Sequence, residues 1–127
     1  MHFELTAGAA SVEEDEDTFV LAFADDAENP STYLMLQYPL DVDEQDVRLG
    51  LDGLYIERDD QRLGCYRGVS AIRRTGERIE IALTDSGRGR LEAERITVTA
   101  VPWQPVIDHG LARLAELAGG EVTVTLG

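Results

Sequence analysis

Along most of this chain, short apolar runs end in clusters of Gly, Pro, Asn or Asp, and that punctuation admits many β-strands but few helices. The clearest run is "RIEIALTD", where Ile79, Ile81 and Leu83 fall on one face and Glu80, Ala82 and Thr84 on the other. Upstream, "HFELTAG" has the alternation of a first strand, and the acidic run Glu13 to Asp17 reads as a solvated turn. "TFVLAFA", Thr18 to Ala24, is a short apolar strand closed at Asn29-Pro30, and "TYLMLQYPL" is the next, stopped by Pro39. "DVDEQD" makes a loop or helical turn before the strand "GLYIER". "GCYRGVSAIRRT" reads as one further strand, joined to "RIEIALTD" by a hairpin at Thr75-Gly76-Glu77. "DSGRGRLEAE" is either a short helix or an irregular connection, because its glycines disfavour helix, and "RITVTAV" is a strand.

The C-terminal part changes period. Val106, Ile107, Leu111, Leu114 and Leu117 recur at helical spacing, with Gly119-Gly120 as the stop, and "EVTVTLG" follows as a last strand. Consecutive strands with little helix between them favour antiparallel pairing. The expected fold is therefore α+β, a mainly antiparallel β-sheet with the C-terminal helix packed on one face. With 127 residues, the expectation is a single domain over 1–127. Its expected core holds Val20, Leu34, Leu36, Ile56, Ile79, Ile81, Leu83, Val98, Leu111 and Leu114.

Charge is the second constraint. Residues 1–60 carry 17 acids and 2 arginines, a net of −15, whereas residues 61–127 carry 8 acids and 9 arginines, a net of +1. Such a field repels nucleic acid and anionic lipid and attracts cations or basic proteins, so neither nucleic acid nor a membrane is an expected partner. The start of the chain lacks the basic and apolar regions of a signal peptide, and a lone Cys65 precludes an internal disulfide. A cytoplasmic setting is expected.

The acids are densest from Asp41 to Asp60, where Asp41, Asp43, Glu44, Asp46, Asp52, Glu57, Asp59 and Asp60 meet only Arg48 and Arg58. A calcium loop counted from Asp41 would need glycine at its sixth position and a bidentate acid at its twelfth. Asp46 and Asp52 stand there, so the turn geometry is lost and no metal is expected. His109 has Asp108 beside it but no nucleophile signature, and His2 is read as a mobile terminus. No phosphate loop or GxSxG elbow occurs, and no cofactor is expected. Cys65 reads as a small core hydrophobe and Trp103 as a packing anchor at the helix start. Tyr33, Tyr38, Tyr55 and Tyr66 are expected to bury their rings and leave their hydroxyls at the surface.

The segment from Tyr33 to Asp85 carries an aliphatic strand ending in glutamine ("YLMLQ"), a "DEQD" turn followed by "LGLDGLYIE", a Tyr-x-Gly step at Tyr66–Gly68 and the "RIEIALTD" strand. In these features it resembles the immunity protein 10 family of bacterial polymorphic toxin systems. Leu54 stands where the family pattern often has an aromatic, and Ala100 to Gly127 lies outside the resemblance. The resemblance implies a non-enzymatic protein that binds and blocks a cognate toxin. Toxins that act on nucleic acid carry basic surfaces, and the eight carboxylates between Asp41 and Asp60 would then form the docking surface. Two other readings stay open: an acidic housekeeping domain, and a small metal-dependent hydrolase using Asp41, Asp43, Asp46 or His109. Exposed strand edges also leave room for a homodimer.

Overall fold

The computed structural model describes residues 2–99 and 105–126, the Val106 side chain excepted. Ten strands form two five-stranded sheets. One sheet has the order β1 (His2–Thr6), β9 (Arg95–Thr99), β8 (Arg78–Leu83), β7 (Val69–Thr75) and β10 (Thr123–Leu126). The other runs through β2 (Ala9–Glu14), β3 (Thr18–Ala24), β4 (Tyr33–Pro39), β5 (Tyr55–Arg58) and β6 (Asp60–Tyr66) as an unbroken antiparallel meander. Three helices complete the described fold: α1 (Glu44–Arg48), α2 (Asp85–Leu91) and α3 (Pro105–Ala118).

The α+β expectation holds, with one refinement. The first sheet is mixed: β1 lies parallel to β9 and β10 parallel to β7, so segments from the two ends of the chain form its edges. Alternation within one strand says nothing about which distant strand it will join. Two expected elements also change. The run Glu13–Asp17 is not all turn, since Glu13 and Glu14 belong to β2, and the reversal falls on Asp15, which accepts from the Asp17 and Thr18 amides at 2.8 Å each. "GCYRGVSAIRRT" is two strands, one in each sheet. Arg67 takes a left-handed φ of 58°, ending β6, and the chain crosses to β7 through buried Gly68.

One hydrophobic cluster joins the facing sides of both sheets with Ile107, Leu111, Leu114 and Ala118 of α3. Nine of the ten expected core residues lie in it; Val20 does not. β3 is apolar at every position, so alternation could not choose its inward face. Phe19, Leu21 and Phe23 remove more apolar area from water than Val20, Ala22 and Ala24 would, and that difference selects the register. Helix α3 packs on β2 and β4 of one sheet and β10 of the other. Arg113 of α3 reaches Glu14 on β2 at 2.9 Å and 3.0 Å, and Asp108 pairs with Arg74 on β7 at 3.4 Å.

The crossover is pinned by contacts that only small residues permit. Thr84 caps α2 by accepting from the Gly87 amide at 3.1 Å, while its own amide donates to the Gly68 carbonyl at 2.8 Å. A Cβ at Gly87 would stand 2.1 Å from that same carbonyl oxygen. Glycine at 87 is therefore what lets α2 rest directly on the backbone joining the two sheets.

Candidate functional site

The fold sorts the charge asymmetry onto separate sheets. Strands β2 to β5 all come from the acidic half, and β7 to β10 from the half that carries nine arginines. The eight carboxylates named above, however, do not act alike. Asp43 is the N-cap of α1, accepting from the Asp46 amide at 2.8 Å, while Asp46 accepts from the Asp43 amide at 3.2 Å. This capping box accounts for two of the loop acids as helix chemistry. Asp52 pairs with Arg67 at 2.9 Å, a contact that holds its carboxyl below the ordinary range. Asp59 accepts from the Thr32 hydroxyl at 2.5 Å and the Tyr33 amide at 3.0 Å, bracing the end of β4 against the bulge in β5. Asp60 accepts from the Arg62 amide at 2.9 Å, which lowers its pKa. Asp41 and Glu44 are exposed, with no hydrogen bond or ion pair among the described residues.

Around these two acids the surface is apolar. Val42, Val47 and Leu49 are 40%, 53% and 63% exposed, and α1 buries none of its residues. A five-residue helix that adds nothing to the core, holds a complete capping box and exposes Val47 between the flanking Val42 and Leu49 has no packing explanation. Its connection back to β5 is anchored by Leu54, whose amide donates to the Glu121 carboxylate at 3.1 Å and 3.2 Å.

Glu57 is the exception among the eight. It is 6% exposed and lies on the side of the second sheet that faces away from the core. Its two oxygens accept from the Tyr33 and Tyr55 hydroxyls, the latter at 2.6 Å. The hydroxyls expected at the surface are therefore engaged at these two tyrosines. Burial, followed by the bond to Glu57, pushes Tyr33 up to about 12 and raises Tyr55 as well. The sequence signal was available: Tyr55 and Glu57 are two apart in a strand and must share a face.

The other candidates behave as ordinary structure. His109 is exposed on α3, next to the Asp108–Arg74 pair. His2 is not a free terminus but a β1 residue bonded to Thr97 at 2.6 Å. Cys65 is half-buried against the core, and burial raises its thiol pKa. Trp103 lies outside the described residues. No group of three or more His, Cys, Asp or Glu residues converges to hold a metal among the described residues. No described helix is long and apolar enough to cross a membrane.

Comparison with protein families gives a match to immunity protein 10 over residues 6–103, from the end of β1 past the end of β9. The chain belongs to the immunity protein 10 family. The match extends well beyond Tyr33–Asp85, taking in β2 and β3 on one side and α2 and β9 on the other, while α3 and β10 remain outside it. Searches of curated proteins and of solved structures gave no match.

Proposed function

We propose that this protein binds and neutralises a cognate bacterial toxin as a non-enzymatic inhibitor, docking through the acidic surface around α1 in the cytoplasm of the producing cell. The family assignment supplies the class of function. The observation that carries the location is α1 itself, where exposed Val42, Val47 and Leu49 are edged by Asp41 and Glu44. Apolar side chains ringed by charge are the ordinary anatomy of a protein interface, with desolvation in the middle and electrostatic steering at the rim. Asp43 and Asp46 contribute negative charge there while holding α1 in shape, and Asp52, Asp59 and Asp60 add to the field from positions fixed by their own partners. The partner is accordingly a toxin with a basic surface, and no cofactor or metal takes part.

Immunity genes usually adjoin the gene of their toxin, so the test partner is the inactivated product of the neighbouring reading frame. Wild-type protein should bind it with an association rate that falls as salt is added, because screening takes hold beyond about 8 Å at physiological ionic strength. Asp41→Asn with Glu44→Gln removes two charges without touching the capping box, and should slow association roughly threefold at low salt while leaving the melting temperature unchanged. Binding that ignores both salt and this double substitution would refute the acidic docking surface.

A further inference from the structure

We propose that the outward face of the second sheet is a receptor for one arginine side chain of the toxin, with the Glu57 carboxylate as its anchor. The inference rests on the toxin-binding reading and adds a second, chemically distinct point of contact.

The register fixes the composition of this face. Ala22 and Ala24 on β3 lie beside Met35 and Tyr33 on β4, Met35 lies opposite Glu57 on β5, and Tyr55 lies opposite Tyr66 on β6. These residues are half-buried apart from Glu57, which is buried. The corresponding face of the first sheet is different in kind, carrying Arg73, Glu80, Arg78 and Arg95 as an ordinary solvated surface. A carboxylate sunk among tyrosine, methionine and alanine has given up much of its hydration, and such a group needs compensation.

Two phenol donors supply part of it. Tyr33 and Tyr55 occupy one acceptor position on each oxygen, whereas a carboxylate offers about four. No arginine pairs with Glu57 among the described residues. The nearest in sequence, Arg58, points to the opposite side, where it sits 4.7 Å over the Phe3 ring and donates to the Leu91 carbonyl at 2.9 Å. Arg62 is held by Asp60.

The geometry of the donors is also specifically built. Gly64 lies across from Glu57 on β6, and a Cβ there would come within 2.5 Å of the Tyr55 hydroxyl oxygen. Glycine leaves the space through which Tyr55 leans to reach the carboxylate. The Tyr55 and Tyr66 rings pack at 5.0 Å with a tilt of 53°, giving an aromatic wall beside it.

Guanidinium fits this combination better than ammonium. Its planar fork can meet both carboxylate oxygens, and its faces stack on phenol rings. The surrounding charge selects a basic guest, because Asp59 and Asp60 lie close enough to act on Tyr33 and four of the sheet's five strands come from the acidic half of the chain. The Tyr55 side of this face adjoins the α1 surface: Leu49, Gly50 and Leu51 border the same depression as Tyr55, Gly64 and Tyr66, with Arg90 of α2 also on its rim. A toxin seated on α1 therefore lies next to Tyr55, one of the two donors to Glu57.

The two contacts predict different kinetics, and that separates them. Steering charges at a rim act on association, whereas a desolvated ion pair acts on dissociation. Against the inactivated product of the neighbouring reading frame, Glu57→Gln should raise the dissociation rate on the order of 30-fold or more and change association by less than about threefold. Met35→Arg leaves Glu57 in place but sets a cation beside it from the cross-strand position, and should accelerate dissociation in the same way. Circular dichroism and melting temperature establish that both variants are folded. If both dissociate like wild type while Asp41→Asn/Glu44→Gln slows association, the arginine receptor is refuted and the toxin-binding reading stands. If wild type does not bind at all, both fall. If sedimentation shows a wild-type dimer that Glu57→Gln converts to monomer, the guest is a second copy of this chain and the proposal is overturned.

Discussion

Replacing Gly87 and Gly89 separately with alanine gives opposite outcomes from the same change on the same short helix. In a solvated helix, glycine to alanine stabilises by about 0.4–1 kcal/mol, because alanine loses less backbone entropy on folding. Gly89 meets that condition, since a Cβ there would find nothing within 4 Å. Gly87 does not: its Cβ would lie 2.1 Å from the Gly68 carbonyl oxygen and 2.9 Å from the Gly68 Cα. Both obstacles are backbone, so no side chain can turn away. Relief requires α2 to lift from the crossover, loosening the Thr84–Gly68 hydrogen bond and the packing of Leu91, which is fully buried. Overpacking of this kind costs about 1–3 kcal/mol, outweighing the gain in helix propensity. For a chain of this size the expected shifts are a melting temperature about 2–4 °C higher for Gly89→Ala and about 4–10 °C lower for Gly87→Ala. Urea unfolding followed by circular dichroism checks both, with unchanged m-values. Similar shifts for the two variants would show that α2 does not rest on the crossover as described.

Ile81→Ala, fully buried on β8, should cost about 2–5 kcal/mol in urea unfolding, whereas Val20→Ala on the outward face of β3 should cost less than about 1 kcal/mol; equal losses would reverse the register of β3. Tyr33 titrates near pH 10 when unfolded but is pushed up to about 12 in the fold, so between those values the unfolded chain holds fewer protons and stability falls as pH rises; the contribution should be intact below pH 10 and gone above about 12, as followed by phenolate absorbance and melting temperature. Phenolate appearing near pH 10 at this residue in the folded protein would dismiss the Tyr33–Glu57 contact. Leu49→Ser should leave the melting temperature within about 2 °C of wild type, since the side chain is 63% exposed, and should speed dissociation from the toxin; a large stability loss would mean Leu49 is covered in the free protein.

What could be read from the sequence tracks how local each determinant is. The bounds of β3 and the inward face of β8 follow from a few adjacent residues, and so does the hairpin at Gly76, where φ is 61°. The crossover at Arg67-Gly68 was hidden because Tyr66 and Val69 both suit a strand, and only the packing of Gly87 against Gly68 explains why the chain changes sheets there. Strand β2 was masked by its own charge: Glu13 and Glu14 read as turn, yet Glu14 is bound by Arg113, 99 positions away. The acidic stretch was legible as a charge density but not as a set of roles. Asp43 and Asp46 could have been assigned from their three-residue spacing, which is that of a capping box. Glu57 could be placed on the same face as Tyr55, but its bond to Tyr33 depends on the pairing of β4 with β5, which no single segment contains.

The central claim is that this chain neutralises a toxin by occupying it. The most direct measurement is the activity of the toxin from the neighbouring reading frame, titrated with the purified protein at toxin concentrations well above the dissociation constant. Neutralisation by occupancy predicts activity that falls linearly and reaches zero at one equivalent of inhibitor. Full activity at a large excess would contradict the account, and so would complete inactivation by a small fraction of an equivalent, because that outcome requires turnover rather than binding.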